Sequence, residues 1–207
     1  MQALLDAIAR AEPGQDACRI FHGRGGLYPG CEHLSLDWYA PVWVLTSFTP
    51  LRDADLQAVH AALARRPEPL HWVYQCRQSG QAGTDTRLMA GGVPEAHVVT
   101  EQGARYRVHV LKGQNHGLFL DMAHGRQWLR EQARDKRVLN LFAYTCAFSV
   151  AALQGGAAEV VNVDMAAGAL AIGQQNHQLN DLGGARFLAH DLFKSWGKVK
   201  RMGPYDI

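Results

Sequence analysis

Three polar residues in the C-terminal half of the sequence each lie at the end of a short apolar segment. Asn140 lies in RVLNL, Asp164 ends VVNVD, and Asp191 follows FLAH. Such segments are typical of buried strands, and in open α/β sheets ligands bind beyond the carboxyl ends of the strands. A carboxylate after the second strand can accept hydrogen bonds from both ribose hydroxyls, and one after the third can accept from an adenine amino group. These residues predict a nucleoside site.

The turn after Asn140 narrows the choice of nucleoside. A dinucleotide fold needs GxGxxG here so that the backbone can contact a pyrophosphate. This turn reads NLFAYTCAFS and contains no glycine. We therefore expect a nucleoside with a compact charged tail, and S-adenosylmethionine is such a ligand. A nucleotide-dependent oxidoreductase is disfavoured for the same reason.

Each of these residues also has a purely structural interpretation. Asp164 and Asp191 stand where helix N-caps occur, and Asn140 can satisfy backbone groups in a sharp turn. Cys146 is interpreted as a small buried apolar side chain, because a nucleophile needs a base and an exposed, electropositive site. Aromatic residues near such a turn are more often core than ligand wall, and here they are Phe142, Tyr144 and Phe148.

The elements that would position this site alternate between helix and strand. HGRQWLREQARDK, TCAFSVAALQGG and MAAGALAIGQQNHQLN have helical patterns, whereas RVLNLFA, AEVVNVD and ARFLAHD have strand patterns. GPYDI resembles the beginning of a further strand. This rhythm predicts an α/β domain over residues 113–207, with about three and a half parallel strands and helices on both faces. Asn176 and Asn180 are expected to serve a helix end.

Residues 1–112 have a different pattern and predict a small α+β domain. It contains helices at LLDAIARA and DADLQAVHAALARR, strands at APVWVLTSF and PLHWVYQC, and a hairpin turning at Glu101 to Gly103. Its arginines, with aromatic residues nearby in sequence, could help hold RNA, although aromatics on alternating strands are more often core. The residues in question are Arg24, Arg77, Arg87, Trp38, Trp43, Trp72 and Tyr74.

Composition and charge constrain the partners. The net charge of +2 is uneven, since residues 1–100 carry −2 and residues 101–207 carry +4. This asymmetry permits a polyanion partner but does not by itself indicate one. The segment KSWGKVKR can touch phosphates, although a solvated helix or loop is favoured. No apolar run is long enough to span a membrane, no secretory signal or CxxC pair is present, and no metal site is indicated, so we expect a cytoplasmic protein.

The segment from Glu101 to Phe193 resembles a known family. It contains GLFLDMAHGR, VLNLFAYT, the acid after the second strand, an NxxxN helix end and HDLF. These motifs are similar to those of class I S-adenosylmethionine-dependent methyltransferases grouped with the bacterial 23S rRNA large-subunit enzymes. The resemblance implies a Rossmann-like sheet, S-adenosylmethionine as cofactor and transfer of a methyl group to a base of large-subunit rRNA. Ala123 departs from the family pattern, which usually has arginine there.

The resemblance also implies site residues. The methionine end of the cofactor would be lined by the turn residues Asn140, Phe142, Ala143, Tyr144, Thr145 and Cys146. Asp164, with Met165 beside it, would hold the ribose, and Asp191 with Leu192 would hold the adenine edge. The segment before the sheet would close over the site through Phe119, Asp121 and Arg126. Catalytic residues remain unassigned, because the family's Asp-Pro-Pro or Asn-Pro-Pro loop would follow Ile207.

We therefore expect the chain to be the N-terminal portion of a longer enzyme, or a truncated gene product, that ends before that loop. The exposed edge of the first-motif strand would invite pairing with another chain, which suggests a homodimer. Two alternatives stay open. One is a catalytically incomplete fragment that only binds cofactor or RNA, and the other is a methyltransferase with a protein substrate.

Overall fold

The computed structural model describes residues 1–77 and 84–207, which form two units. The first unit contains Met1–Val99 and Val108–His116, and the second contains Thr100–Arg107 and Gly117–Ile207. The sequence placed a single division at residue 112. In the structure the chain passes into the second unit, returns to the first and then enters the second again, so most of the predicted hairpin lies in the second unit.

The first unit is a five-stranded sheet with helices on one face. Its elements are α1 (Gln2–Arg10), β1 (Cys18–His22), β2 (Leu34–Tyr39), β3 (Val42–Ser47), α2 (Asp53–Ala64), β4 (Trp72–Cys76) and β5 (Asp85–Ala90). The strand order is β1-β2-β3-β4-β5, and only β3 and β4 are parallel. Apolar residues of α1 and α2 pack against alternate residues of the strands, as the predicted periodicity requires.

The aromatic residues of this sheet are core. Trp38, Trp43, Trp72 and Tyr74 are all buried, which confirms that interpretation. The arginines differ from one another, because Arg24 lies over the ring of Phe48, Arg87 lies over Tyr74 and Arg77 is half-buried. Whether this unit holds RNA stays a prediction.

A buried histidine of the first unit predicts acid sensitivity. Burial lowers the pKa of His116 to about 3 from an ordinary 6.5, and Arg77 and His109 act in the same direction. Because the unfolded chain binds a proton below about pH 6.5 and the folded chain does not, stability is complete above that pH and falls as the pH drops towards the folded pKa. We expect a loss of about 2 kcal/mol at about pH 5.

This loss is measured by urea unfolding of the wild type and His116→Phe at about pH 7.5 and about pH 5. Phenylalanine keeps a buried ring beside Tyr39, which contacts the His116 ring edge-on at 5.5 Å. The variant should lose less stability on acidification than the wild type. Equal losses would contradict the assignment to His116. The other histidines remain in both proteins and cancel in the comparison.

The second unit is built on three parallel strands. They are β8 (Arg137–Leu141), β9 (Glu159–Asp164) and β10 (Ala185–Ala189), in the order β10-β9-β8. The helices are α3 (Ala123–Gln132), α4 (Ala147–Gln154), α5 (Ala167–Leu179) and α6 (Leu192–Arg201). Leu129 and Ala152 pack on one face with Val138 and Val160, whereas Val199 packs with Val161 and Val163 on the other. This arrangement confirms the predicted α/β sheet with helices on both faces.

The chain then begins to pair along the other edge of β8. Leu139 N–H donates to the carbonyl of Ile207, and Asp206 N–H donates to the carbonyl of Arg137. Both donor–acceptor distances are 2.8 Å. The direction of strand order therefore reverses at β8, and in open sheets such a reversal creates a crevice at the carboxyl end of the strand. The predicted homodimer through this edge stays a prediction.

A hairpin of β6 (Val98–Glu101) and β7 (Ala104–Arg107) precedes the sheet. Gln102 and Gly103 both have positive φ, at 50° and 80°, as a two-residue hairpin turn of type I′ requires. The turn lies where the sequence predicted it. Asn180, the C-cap of α5, accepts from Arg105 N–H at 2.8 Å and donates to Arg105 O at 2.7 Å. Asn180 therefore pairs with β7 as a neighbouring strand would.

The two asparagines of α5 thus do more than end the helix. Asn176 accepts from Arg107 N–H at 2.8 Å, so both side chains bind the strand. Neither asparagine has a left-handed backbone, and that conformation belongs to Asp181, with φ of 55°. Asn180 is the C-cap of α5 and donates to Asn176 O at 2.7 Å, so the expected role at the helix end is confirmed for Asn180. The bonds to β7 were not predicted, because the partners lie about 70 residues earlier in the chain.

Two further observations concern ligands and membranes. Among the described helices, none combines the length and apolar character that crossing a membrane requires. The described residues include no group of three or more His, Cys, Asp or Glu side chains that could hold a metal ion. All four cysteines are free thiols.

Candidate functional site

A cavity of about 360 Å³ lies at the carboxyl end of β8. Its walls are formed by the end of β8, the turn that follows, the segment before α3, and the first turns of α3 and α4. The lining residues are Phe119, Met122, Arg126, Leu139, Asn140, Leu141, Phe142, Ala143, Tyr144, Thr145, Ala147 and Phe148. A larger cavity of about 560 Å³ lies between α1 and α2 in the first unit, but it contains none of the predicted site residues.

The turn from Phe142 to Cys146 explains how the site is built without glycine. Phe142, Tyr144 and Cys146 all have left-handed backbones, with φ of 52°, 49° and 59°. Non-glycine residues in this region are strained, typically by 1–3 kcal/mol each, and persist only when the surroundings enforce the conformation. Successive residues of this kind can point backbone N–H groups towards one concave surface. The sequence lacks the glycines, yet the backbone adopts the conformation that glycine favours.

Hydrogen bonds from several elements enforce this turn. Ala143 N–H donates to Val163 O at 3.1 Å, and Tyr144 N–H donates to Asp164 Oδ2 at 2.8 Å. The Thr145 hydroxyl donates to Gly117 O at 2.5 Å, and its carbonyl accepts from Asn176 Nδ2 at 2.9 Å. Strand β9, the segment before α3 and helix α5 therefore each hold one part of the turn.

The Asp164 carboxylate, at the end of β9, bonds both to the turn after β8 and to the residue before α5. Besides accepting from Tyr144, it accepts from Ala166 N–H through Oδ1 at 2.8 Å, just before α5 begins. The N-cap of α5 is Ala166, which has no side-chain cap, so the interpretation of Asp164 as a helix N-cap was wrong. The carboxylate instead lies at the carboxyl edge of the sheet, where it holds the backbone on either side of it. Its two oxygens have about four acceptor sites, of which these bonds use two. A ribose contact stays a prediction.

Asp191 is the N-cap of α6, as its structural interpretation anticipated. Its side chain accepts from Phe193 N–H at 3.0 Å. Neither Asp191 nor Leu192 lines the cavity, and Asp164, Met165 and Cys146 also lie outside its wall. The adenine contact therefore remains a prediction that rests on the shared edge of the sheet.

Large apolar side chains are exposed where all three strands end. Phe142 is 69% exposed after β8, Met165 is 70% exposed after β9, and Phe193 is 85% exposed after β10. The interpretation of Phe142 as core was therefore wrong. Since exposed aromatic and thioether groups can cover a flat ring, these side chains suit a base or nucleoside.

The segment before α3 contributes a wall and its support. Phe119 is 44% exposed and its ring centroid lies 5.3 Å from that of Tyr144. Arg126 is buried and makes a double hydrogen bond with Glu101, at 2.6 and 2.7 Å, and donates to Phe119 O at 2.9 Å. Arg126 therefore holds the Phe119 segment, and direct contact between its guanidinium and a ligand stays a prediction.

Asp121 does not join the cavity wall. It is exposed at the beginning of a short 3₁₀ turn, Leu120–Met122, and provides no side-chain cap for that turn or for α3. Asp121 therefore has no capping role. Its predicted role in closing over a ligand stays a prediction.

Cys146 is fully buried, as its structural interpretation expected. Burial, together with the charge of Asp164, raises the pKa of its thiol to about 12. The thiol therefore stays protonated at neutral pH and does not suit a nucleophile. Its sulfur packs against α5, where a Cβ added to Gly173 would lie 2.5 Å from Sγ.

This close approach predicts the effect of a methyl group on α5. Gly173→Ala should lower the free energy of unfolding by about 1–3 kcal/mol, because the new Cβ also lies 3.3 Å from the Thr145 carbonyl carbon. Gly168→Ala is the matched control on the same helix, since nothing lies within 4 Å of its Cβ and alanine favours helices. Urea unfolding measures both, and a destabilisation from Gly168→Ala equal to that from Gly173→Ala would contradict the packing argument.

Comparison with known proteins identifies the family. A family model described as S-adenosylmethionine-dependent methyltransferase matches residues 18–207. The chain belongs to this family. The motif-based resemblance is thereby confirmed, as is the Rossmann-like fold class, and S-adenosylmethionine is the family's cofactor.

Individual relatives agree with this assignment. The chain is 39% identical over 211 residues to a ribosomal RNA large subunit methyltransferase I of Enterobacter sp. strain 638, covering 96% of this chain and 51% of the relative. Against the corresponding enzyme of Aeromonas salmonicida it is 39% identical over 121 residues, or 57% of this chain and 31% of the relative. The chain thus matches about a third to a half of the length of these relatives.

Solved structures show the same fold. A putative S-adenosylmethionine-dependent methyltransferase from Streptococcus mutans aligns with a TM-score of 0.80 and 26% identity, over 99% of this chain and 54% of that one. A putative methyltransferase solved in complex with SAH aligns with a TM-score of 0.81 and 25% identity, over 99% and 53%. The likeness extends through both units described above.

Sequence reasoning missed several members of the site. Met122, Leu139 and Ala147 line the cavity, although each is a close chain neighbour of a predicted residue. Glu101 and Asn176 support the wall and the turn from distant parts of the chain. Only the NxxxN pattern on α5 offered a signal for the second of these.

Proposed function

We propose that the cavity at the carboxyl end of β8 binds S-adenosylmethionine. The turn from Asn140 to Cys146 would hold the methionine end, and Asp164 the ribose hydroxyls. Met165 would lie beside the ribose with Asp164, and Asp191 with Leu192 would hold the adenine edge. The observation that carries this proposal is the glycine-free turn whose backbone is fixed by Asp164, beside a cavity of about 360 Å³.

The shape of the site favours this ligand over a dinucleotide. The left-handed residues Phe142 and Tyr144 carry large side chains at the positions where a diphosphate needs close backbone approach. Phe142 and Phe119 instead provide exposed apolar surface beside the turn. A nucleoside with a short charged tail makes use of both features.

We further infer that the enzyme to which this chain belongs transfers a methyl group to a base of large-subunit rRNA. The names of the relatives support this inference. Bound S-adenosylmethionine supplies a methyl group on a positively charged sulfur. The residues of this chain contribute by binding and orienting that group, which is a proximity effect. Cys146 is not suited to covalent activation of a base, because its thiol is buried and its pKa is raised.

The proposal also includes contacts with RNA and a cellular location. Arg24 and Arg87 of the first unit and the exposed lysines of α6 provide cations that can contact RNA phosphates. An rRNA substrate and four free cysteines both support a cytoplasmic location. A protein substrate is the competing inference, and the choice of substrate below distinguishes them.

Two experiments test the proposal with the full 207-residue chain. Calorimetric titration should show binding of S-adenosylmethionine and none of NADH. Transfer of a radiolabelled methyl group should then be measured with 23S rRNA that lacks the modification and with ribosomal protein. Binding of NADH instead would contradict the cofactor assignment. Binding of S-adenosylmethionine without transfer to either substrate would show that this chain is a cofactor-binding fragment.

A further inference from the structure

A chain of buried polar side chains connects the cavity with α5. Asn140 Nδ2 donates to Asn162 Oδ1 at 2.8 Å, and Asn162 Nδ2 donates to Ser149 Oγ at 3.0 Å. Ser149 Oγ lies 2.8 Å from His177 Nε2, and His177 Nδ1 lies 2.7 Å from the carbonyl of Gly173. Asn162 and Ser149 are fully buried and His177 nearly so. Polar groups at this depth are costly unless their bonds are specific.

The direction of every bond in this chain follows from its ends. The Gly173 carbonyl can only accept, so His177 Nδ1 must bear the proton. In a neutral ring Nε2 then accepts, and the Ser149 hydroxyl must donate to it. Burial lowers the pKa of His177, which favours this neutral ring. The oxygen of Ser149 is left to accept from Asn162.

The carbonyl of Arg186 independently determines the orientation of the Asn162 amide. Asn162 Nδ2 also lies 3.3 Å from the carbonyl of Arg186, which can only accept. Both hydrogens of that amide are therefore used, and its oxygen must face Asn140. Asn140 in turn must present its nitrogen to Asn162. Its own oxygen, Oδ1, has no donor among the residues that the structure describes, and Asn140 lines the cavity.

We propose that Asn162, held by Ser149 and His177, is a positioning residue that keeps Asn140 Oδ1 available as an acceptor in the cavity. This inference rests on the proposed function. The matching ligand group is a strong donor at the methionine end, namely the α-ammonium of the cofactor. Without Asn162 the Asn140 amide can rotate and present two N–H donors, which repel an ammonium group.

Two ligands separate positioning from general structural support. S-adenosylhomocysteine carries the amino-acid portion, and methylthioadenosine has the same nucleoside and thioether but lacks it. Asn162→Leu should weaken S-adenosylhomocysteine binding about 10-fold, as expected for one hydrogen bond to a charged group. It should leave methylthioadenosine binding within about twofold. Equal losses for both ligands would overturn the proposal.

Milder variants keep the test informative if Asn162→Leu folds poorly. Ser149→Ala leaves the Arg186 anchor in place, so we expect a loss of about threefold, again only for S-adenosylhomocysteine. Ser195→Ala on α6 is the matched control and should change neither affinity. No change in Ser149→Ala and in Asn162→Leu would overturn the proposal. Failure of the wild type to bind either ligand would instead overturn the proposed function, and this inference with it.

A spectroscopic measurement tests the bond directions without any ligand. Nitrogen chemical shifts of ¹⁵N-labelled histidine in the full chain should show His177 as the neutral tautomer protonated at Nδ1. Free histidine favours the other tautomer, so the result is specific to this network. A ring protonated at Nε2, or a doubly protonated ring at neutral pH, would overturn the assigned directions.

Discussion

Replacing Glu101 by alanine should lower the free energy of unfolding of the second unit by about 3–5 kcal/mol. The change leaves the guanidinium of Arg126 buried without its carboxylate, and Arg126 is only 3% exposed. Such an orphaned charge costs more than the ion pair itself contributes. The remaining contact to Phe119 O and the ring of Phe148, 5.8 Å away, do not replace a carboxylate. Urea unfolding followed by circular dichroism measures the loss.

A matched control distinguishes burial from charge pairing in general. Glu159 pairs with Arg137 in the same unit, but the arginine side chain is 34% exposed. Glu159→Ala should therefore cost about 1 kcal/mol or less. Glu101→Gln should lie between the two, because the amide oxygen still accepts one hydrogen bond. Similar losses in Glu101→Ala and Glu159→Ala would contradict the role assigned to the buried pair.

Asp164→Ala should weaken S-adenosylmethionine binding by about 100-fold or more. The substitution removes the proposed ribose acceptor, and it also removes the anchor of Tyr144 N–H in the strained turn. Each hydrogen bond to a charged group contributes about tenfold to the affinity, so the loss of two such bonds accounts for the expected factor. The Ala166 N–H at the start of α5 loses its partner as well. Calorimetric titration of the folded variant measures the effect.

Asp164→Asn separates these contributions. Its single carbonyl oxygen can accept from Tyr144 or from Ala166 but cannot serve both as a carboxylate does, so we expect an intermediate loss of about tenfold. Glu131→Ala removes an exposed carboxylate of the same unit and should leave binding unchanged. Wild-type affinity in Asp164→Ala would show that the ligand does not depend on this edge of the sheet.

The sequence was informative wherever local pattern determines structure. Alternation of apolar strands and helices predicted β8, β9 and β10 as parallel neighbours, and their register places Asn140 beside Asn162. The Gln102–Gly103 turn has a local signature and was also predicted correctly. The periodicity of apolar residues and the residue types of a hairpin turn are both determined within a few residues, so a single sequence is enough to recognise them.

The conformation of the turn from Phe142 to Cys146 could not be predicted in this way. Nothing in FAYTC favours left-handed backbones at Phe142, Tyr144 and Cys146, and local propensity opposes them. Bonds from Val163 and Asp164, about 20 residues later, enforce them. Tertiary contacts here override local preference.

The support behind the site was missed for a related reason. Arg126 lies in the cavity wall, but its partner Glu101 lies 25 residues earlier, and the partners of Asn176 and Asn180 lie about 70 residues away. A single sequence shows which residue types can pair but not which pairs form. The sequence therefore does not show which of these side chains support the fold and which contact a ligand.

The central claim is that the carboxyl edge of the second unit's sheet is the S-adenosylmethionine site. The most direct test is an NMR titration of the ¹⁵N-labelled full chain with S-adenosylhomocysteine. The account predicts shift changes concentrated at the amides of Ala143, Tyr144, Ala166 and Phe193, which lie in the turn and after the next two strands. Changes confined to the cavity between α1 and α2, or no saturable change at all, would contradict it.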